Sequence, residues 1–346
     1  PYFMVNNLYV VTPRGFCAGV EMAIKALTWM LKIYDETIYC YHEIVHNDWI
    51  VRKFKDNNVI FVKKPEELPE NAIVMFSAHG TAPKIEKKFK SISLSNINSV
   101  CPLVTKVHHE AKRFSQQGTE IIYIGHKNHD EAMGAMGVAS ESMTLIESVD
   151  DMDKVSLESN NVALLAQTTL AISEWEPIML KAKEKFPNLK LPRKNDLCYA
   201  TTNRQEAIIN ISEKVDLIIV VGSSTSSNTN ALVTSLKNIG KTAYRIEKPE
   251  DLKNIKLENK NIAITAGASA PDHMVKDLVD FINPLNIELY IDKDETEYFP
   301  LPVELRNNIK NLTNFISSMF PDNNIESKNG VKNDKFWTAT EALSAL

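Results

Sequence analysis

The sequence predicts an α/β protein built from three related units, each with a small, mainly parallel sheet. Three observations predict it. Strand-like apolar runs alternate with helix-patterned segments along most of the chain. Three cysteines recur in phase, and one short segment recurs three times in diverged form.

In chain order, Tyr9 to Thr12 reads as a strand that exits into PRGFCAGV, where Gly15 and Gly19 flank Cys17. The apolar positions Val20, Ile24, Leu27 and Leu31 then keep one face of a helix. Cys17 is therefore expected at a helix N-terminus, where the dipole favours a thiolate. Taken alone, it could be a nucleophile, a metal ligand or a buried structural thiol. Thr37 to Tyr41 leads to His46 in EIVHN, and IVMFSAHG leads to His79, with Pro83 placed to start the next helix. Asn98 to Val100 leads to Cys101, whose helix (Val104, Val107, Ala111, Phe114) should stop at Gly118. IIYIGHKNHDE brings His129 and Glu131, and VALLAQTT brings Thr168, followed by a capping-box match at Ser173 and Glu176. Leu197 leads to Cys198, LIIVVGSSTSSNTN carries Ser226, Ser227 and Asn228, and IAITAGASAP ends near Ser269.

The spacing carries the repeat. From each cysteine to the next polar loop (His46, His129, Ser226) is 29, 28 and 28 residues. From those loops to the next strand exit (His79, Thr168, Ser269) is 33, 39 and 43. Independently, VKKPEEL, IESVDDM and IEKPEDL precede the three second exits. The expected units are 17–101, 102–198, and 199–290 completed by the N-terminal strand within 1–16, with 291–346 as a C-terminal segment. The N-terminal strand stands in for one that the third unit lacks, which would close a three-fold ring. Strand intervals of this size are common in α/β proteins; three cysteines in phase are not.

With 346 residues, 44% of them hydrophobic, and no apolar run of membrane-spanning length, the chain can bury a large core and is not expected in a membrane. A net charge of -5, spread along the chain, gives no nucleic-acid footprint. Four cysteines without a CxxC pair argue for a reducing compartment, such as a bacterial cytoplasm or a plastid-type stroma. The first residue is Pro1, so removal of a leader or transit peptide is an expectation compatible with either.

Ligands of open parallel sheets bind beyond the carboxyl ends of the strands, so three facing units would pool these loops. GSSTSSNTN opening a helix offers amide and hydroxyl donors without a carboxylate, which suits a phosphate or diphosphate; no Walker lysine follows it. Three thiolates from three units could hold zinc, an iron–sulfur cluster or nothing. The local cysteine pairs of structural zinc sites are absent, and Cys101-Pro102 is weakly reminiscent of cluster-binding runs. Cys40, inside YCY and out of phase, reads as core.

Nine ordered motifs, PRGFCAGV, EIVHN, SAHG, SVCPLV, GHKNHDE, AQTT, LCYATTNRQ, GSSTSSNTN and AGASAP, resemble the 4-hydroxy-3-methylbut-2-enyl diphosphate reductase family, the last step of the methylerythritol phosphate route to isoprenoids. The resemblance runs from about Tyr9 to Arg306. It implies three pseudo-threefold-related α/β units, a trefoil, around a [4Fe–4S] cluster held by Cys17, Cys101 and Cys198, with the fourth iron open to substrate. It implies reductive dehydroxylation of an allylic diphosphate to isopentenyl and dimethylallyl diphosphate, with electrons from a ferredoxin or flavodoxin. By the same resemblance His46, His79, His129, Ser226, Ser227, Asn228 and Ser269 bind the diphosphate, Glu131 is the general acid, and Thr168 orients the hydroxyl, with His129 beside them. Asp130 is expected to face solvent. A zinc-dependent hydrolase of a phosphorylated substrate and a non-catalytic phosphate-binding protein are the competing readings. The tail after Arg306 has no counterpart in the family; its polar middle is expected to be unstructured and its last dozen residues a short helix or an appended segment.

Overall fold

A computed structural model of the chain describes residues 4–157, 159–192, 194–319 and 331–346. After β1 (Asn7–Thr12) come α1 (Ala18–Ile33), β2 (Ile38–Tyr41), α2 (Asp48–Lys55), β3 (Val59–Val62), β4 (Ile73–Phe76), α3 (Pro83–Ile92) and β5 (Ser95–Asn98). Next are α4 (Pro102–Gln116), β6 (Glu120–Ile124), α5 (Asp130–Val138), β7 (Met143–Ile146), α6 (Val149–Lys154), β8 (Val162–Ala166) and α7 (Ile172–Lys185). They are followed by α8 (Tyr199–Ser212), β9 (Leu217–Val221), α9 (Ser227–Asn238), β10 (Ala243–Ile246), β11 (Asn261–Ala266), α10 (Asp272–Ile282) and β12 (Asn286–Ile291). The chain closes with α11 (Val303–Met319) and α12 (Ala339–Ser344).

The strands form three small parallel sheets, in the orders β3-β2-β4-β5, β7-β6-β8 and β10-β9-β11-β1-β12. The orders are the same pattern written three times. Beside β8, where β4 has β5 and β11 has β1, the described residues show only an isolated bridge from Ala163 to Lys190. The strand expected before Cys198 is thus reduced to that bridge, because LPRKND offers a proline and polar residues in place of a β-branched run. The N-terminal strand does complete the third sheet, pairing with β11, and β12 adds an edge strand that the sequence reading did not anticipate.

The recurring acidic segment has a physical cause. After β3, β7 and β10 the chain makes one short turn of helix, and an acid at its third position, Glu67, Asp151 or Asp251, accepts backbone N–H groups from the strand exit. Glu67 takes those of Lys63 and Lys64 (2.9 and 2.8 Å), Asp151 that of Glu147 (3.1 Å), and Asp251 those of Glu247 and Lys248 (3.0 and 3.1 Å). These bonds satisfy donors that a helix start leaves open.

Parallel strands need cover on both faces. β8 and β9 are buried along their whole length. Ile218 and Val220 of β9 pack on Ala207, Ile208, Leu232 and Leu236 of α8 and α9, whereas Ile219 and Val221 face the cluster holding Val275, Leu278 and Ile282 of α10. Each such side chain contributes about 1.5–3 kcal/mol when fully buried. The α4 face is the expected Val104, Val107, Ala111 and Phe114. The capping box of α7 lies two residues earlier than expected: Glu174, not Glu176, bonds back, to the Ala171 N–H (3.1 Å). Among the described residues no helix is long and apolar enough to cross a membrane.

The chain packs as two compact units, one of residues 1–17 and 103–296, the other of residues 18–102 and 297–346. In the second, the described end of the tail packs against α1. Helix α11 continues past Arg306 to Met319, and residues 331–336 and α12 follow; the rest of the polar middle lies outside the described residues. The Lys25 ammonium, almost fully buried in α1, donates to the Asp334 backbone oxygen (3.0 Å) and to its carboxylate (3.3 Å), which also accepts the Tyr298 hydroxyl (2.6 Å). Glu21 accepts the Ala339 N–H at 2.6 Å, and Trp337 meets Trp29 edge-on at 5.7 Å. Asp334→Ala would leave a buried ammonium without its carboxylate and is expected to destabilise the fold by about 3–5 kcal/mol. Lys25→Met combined with Asp334→Leu should recover most of that loss. Denaturant unfolding of the three variants checks this; an unchanged midpoint in Asp334→Ala would contradict it.

Candidate active site

In the first unit, nine of the expected site residues lie on strand exits and helix starts. Cys198, His129 and Ser226 are themselves helix N-caps, of α8, α5 and α9. The sulfur of Cys198 accepts the Thr201 N–H (3.3 Å), Nδ1 of His129 accepts the Glu131 N–H (3.2 Å), and Oγ of Ser226 accepts the Thr229 N–H (3.3 Å). With Nδ1 accepting, the neutral His129 ring carries its proton on Nε2.

Glu131 is 3% exposed. Its carboxylate accepts the Thr168 N–H at 2.6 Å and the Thr168 hydroxyl at 3.0 Å. Thr168 in turn accepts the Cys198 N–H on its backbone oxygen (3.0 Å), so acid, hydroxyl and thiol loop form one chain of contacts. Burial is the largest influence on Glu131 and pushes its pKa up to about 7 against the two lowering bonds from Thr168; the Asp196 carboxylate raises it further. A carboxyl in that range can give or take a proton near neutrality. Asp196, itself raised to about 6 by burial despite Lys106 at 3.2 Å, ties the thiol loop to β8 by accepting the Ala166 N–H (3.0 Å).

The hydroxyl and amide cluster is dense. Asn228 accepts the Ala268 N–H (2.8 Å) and donates to the Thr201 hydroxyl (3.2 Å); Ser269 donates to Ser226 (3.3 Å). Ser227 receives the Gln167 amide (2.9 Å) and the Thr169 hydroxyl (2.8 Å). Gly267 has no room for a side chain: a Cβ there would lie 2.0 Å from Oγ1 of Thr229. Sequence reading passed over Gln167 and Thr201, though both sit in quoted motifs, because their part is to hold other site residues in place, which only tertiary contacts reveal. Asp130, expected in solvent, is half-buried in the first turn of α5.

Cys17 follows Gly15, whose φ of +69° is a left-handed turn that favours glycine. Gly15 donates to the Ala266 oxygen (3.3 Å) and Cys17 to the Ala268 oxygen (3.4 Å), which hangs this loop on the exit of β11. Burial pushes the Cys198 thiol up to about 11, and the neighbouring Cys17 adds to the rise. Burial therefore outweighs the helix N-terminus and the Thr201 bonds that lower it. Such a thiol is a poor free nucleophile, and becomes a thiolate when a bound cation displaces its proton. Sulfur is a soft donor, and two neighbouring cysteines suit a thiolate-ligated metal centre.

The second unit holds His46, His79 and Cys101. The two imidazoles stack with centroids 4.1 Å apart at 26°. Nδ1 of His46 lies 3.2 Å from the Glu43 carboxylate, which His46 holds below the usual carboxylate range, and Nδ1 of His79 lies 3.4 Å from the Ser77 hydroxyl. Cys101 donates its N–H to Ala78, next to His79, at 3.0 Å. Glu43 was missed because it precedes EIVHN's histidine by one turn on no regular element. Cys40 is fully buried in β2 and its thiol is pushed far up by burial, as core.

Comparison with known proteins comes to one family. The LytB protein family model matches residues 8–283. A 4-hydroxy-3-methylbut-2-enyl diphosphate reductase of Rhodopirellula baltica is 40% identical over 305 residues, covering 87% of this chain and 96% of its own. The Buchnera aphidicola subsp. Schizaphis graminum protein of that name is 41% identical over 315 residues, covering 88% and 100%. The solved E-1-hydroxy-2-methyl-but-2-enyl-4-diphosphate reductase of Plasmodium falciparum superposes with a TM-score of 0.86 at 35% identity, covering 90% of this chain and 100% of that one.

In the metal-free chain, alkylation of Cys198 is expected to be slow near neutral pH and to accelerate only as pH approaches about 11. Mass-spectrometric mapping of the labelled cysteines reads this. Fast labelling of Cys198 at neutral pH would mean a preformed thiolate.

Proposed function

The chain belongs to the LytB family of 4-hydroxy-3-methylbut-2-enyl diphosphate reductases, and on that premise we propose how its residues divide the reaction. The enzyme is an oxidoreductase of the non-mevalonate pathway that removes the hydroxyl of a small allylic diphosphate reductively, giving isopentenyl and dimethylallyl diphosphate. Our reading is that Cys17, Cys101 and Cys198, which stand at the boundaries of the repeats 17–101, 102–198 and 199–290 with its N-terminal strand, ligate a [4Fe–4S] cluster. The cluster would supply electrons and an open iron as Lewis acid. A ferredoxin or flavodoxin is the donor class we assign.

The observation that carries the reading is the Glu131 carboxyl, buried with no cation beside it among the described residues and bonded to both the amide and hydroxyl of Thr168, on the loop that also holds the Cys198 N–H. Thr168 orients the substrate hydroxyl and hands it the Glu131 proton; His129, with Nε2–H as donor, steadies the anionic end. Ser226, Ser227, Asn228 and Ser269 offer hydroxyl and amide donors to the diphosphate, Ser227 being held in orientation by Gln167 and Thr169. His46 and His79 complete the set, since bonds to an anion from charged donors are about twice as strong as neutral ones. Burial of Glu131, Thr168, Ser226 and Asn228 excludes water that would compete for the proton.

Purified without oxygen, the chain is expected to carry about four irons and four sulfides. Serine at Cys17, Cys101 or Cys198 should lower that content, and Cys40→Ser should not. A colourless zinc protein would favour the hydrolase reading, and a metal-free chain a binding protein.

Glu131→Gln should keep the iron and lose turnover by about 10²–10⁴-fold. The raised pKa means the carboxyl is protonated below about 7 and loses its proton above it, so kcat should fall as pH rises through that value. Residual turnover in Glu131→Gln should lack this falling limb. A wild-type kcat that rises across the same range would remove Glu131 from the acid role.

A further inference from the structure

We propose that Arg204, paired with Glu295, is a positioning residue that fixes the Cys17 loop against the start of the Cys198 helix. It rests on the reading above that both cysteines hold a metal centre. Arg204 lies in the second turn of α8 and is fully buried. Its Nη2 donates to the Gly15 oxygen at 2.7 Å, two residues before Cys17. Its Nη1 donates to the Ala200 oxygen at 3.1 Å, two residues after Cys198, and to both oxygens of Glu295 at 2.8 and 2.9 Å. Glu295 also accepts the Asn203 amide (3.2 Å), a second tie to α8.

One planar group thus touches both cysteine loops and a carboxylate that keeps it from rotating. Nothing in the reaction requires a cation here, and the pair is neutral as a whole. A buried guanidinium is an expensive filler, more so because its Nε has no hydrogen-bond partner among the described residues. What it supplies is geometry. The left-handed Gly15 leaves its carbonyl turned inward, and only a rigid fork can reach that oxygen while still holding the helix turn and the carboxylate; a lysine reaches one of them at a time. Glu295 lies outside the span matched by the family model, so no motif marks it.

The test compares wild type, Arg204→Lys, Arg204→Met and Glu295→Gln, all purified without oxygen. Iron is followed as it is stripped by a chelator, and amide hydrogen exchange is followed in the metal-free chains together with melting temperature. Loss of a group that orients metal ligands typically weakens metal binding by about 10–100-fold. Both Arg204 variants should therefore lose iron about tenfold faster or more, the lysine included, and Glu295→Gln should lie between them and wild type. Exchange should rise at residues 13–17 and 198–202 while β9 and β11 stay protected. Iron retention at the wild-type rate in both Arg204 variants would overturn the proposal. So would exchange that rises throughout the chain with a lower melting temperature, which is general destabilisation. If wild type itself binds no iron, the metal-centre reading fails, and the local exchange pattern still decides the role of Arg204.

Discussion

A carboxyl group buried without a countercharge is the constraint on which the rest of the first unit turns. Among the described residues Glu131 has no cation within its bonding shell; both its oxygens are taken by Thr168. Burial and the nearby Asp196 work against ionisation, and the two Thr168 bonds work for it. The balance leaves the group near neutrality, where a proton can move either way. An added lysine or a solvent channel would collapse that balance toward an ordinary carboxylate. The surrounding loops are therefore filled with neutral donors: threonines, serines, an asparagine and a glutamine.

The same economy shows at the helix starts. Cys198, His129 and Ser226 cap their own helices, so each site residue also satisfies backbone donors that would otherwise be open. Position and chemistry are set by one bond. At Cys198 the cap and the helix dipole would lower the thiol pKa, yet burial and the neighbouring Cys17 raise it. The larger effect wins, and a thiol of that kind suits a metal ligand better than a nucleophile.

Much of this was legible in the sequence because it repeats. The phase of the cysteines and the three acidic segments correspond to three sheets of one strand order and three helix starts with the same acid cap. The family motifs carried the site residues. Less legible were features set by tertiary partners. The strand before Cys198 shrank to a bridge, and β12 was hidden because its residues 286–291 alternate in a polar context at an edge. The tail looked dispensable by composition, but Asp334 and Trp337 reach α1 across some three hundred positions of chain. No local pattern reports such a contact. Arg204 was likewise read past, since an arginine in a helix is usually a surface residue.

The most direct test of the central claim is the titration of Glu131 itself. Carbon NMR of the side-chain carboxyl, assigned by comparison with Glu131→Gln in the metal-free chain, follows its protonation without any turnover. The expected midpoint is about 7. A midpoint at the ordinary glutamate value of about 4.3 would contradict it.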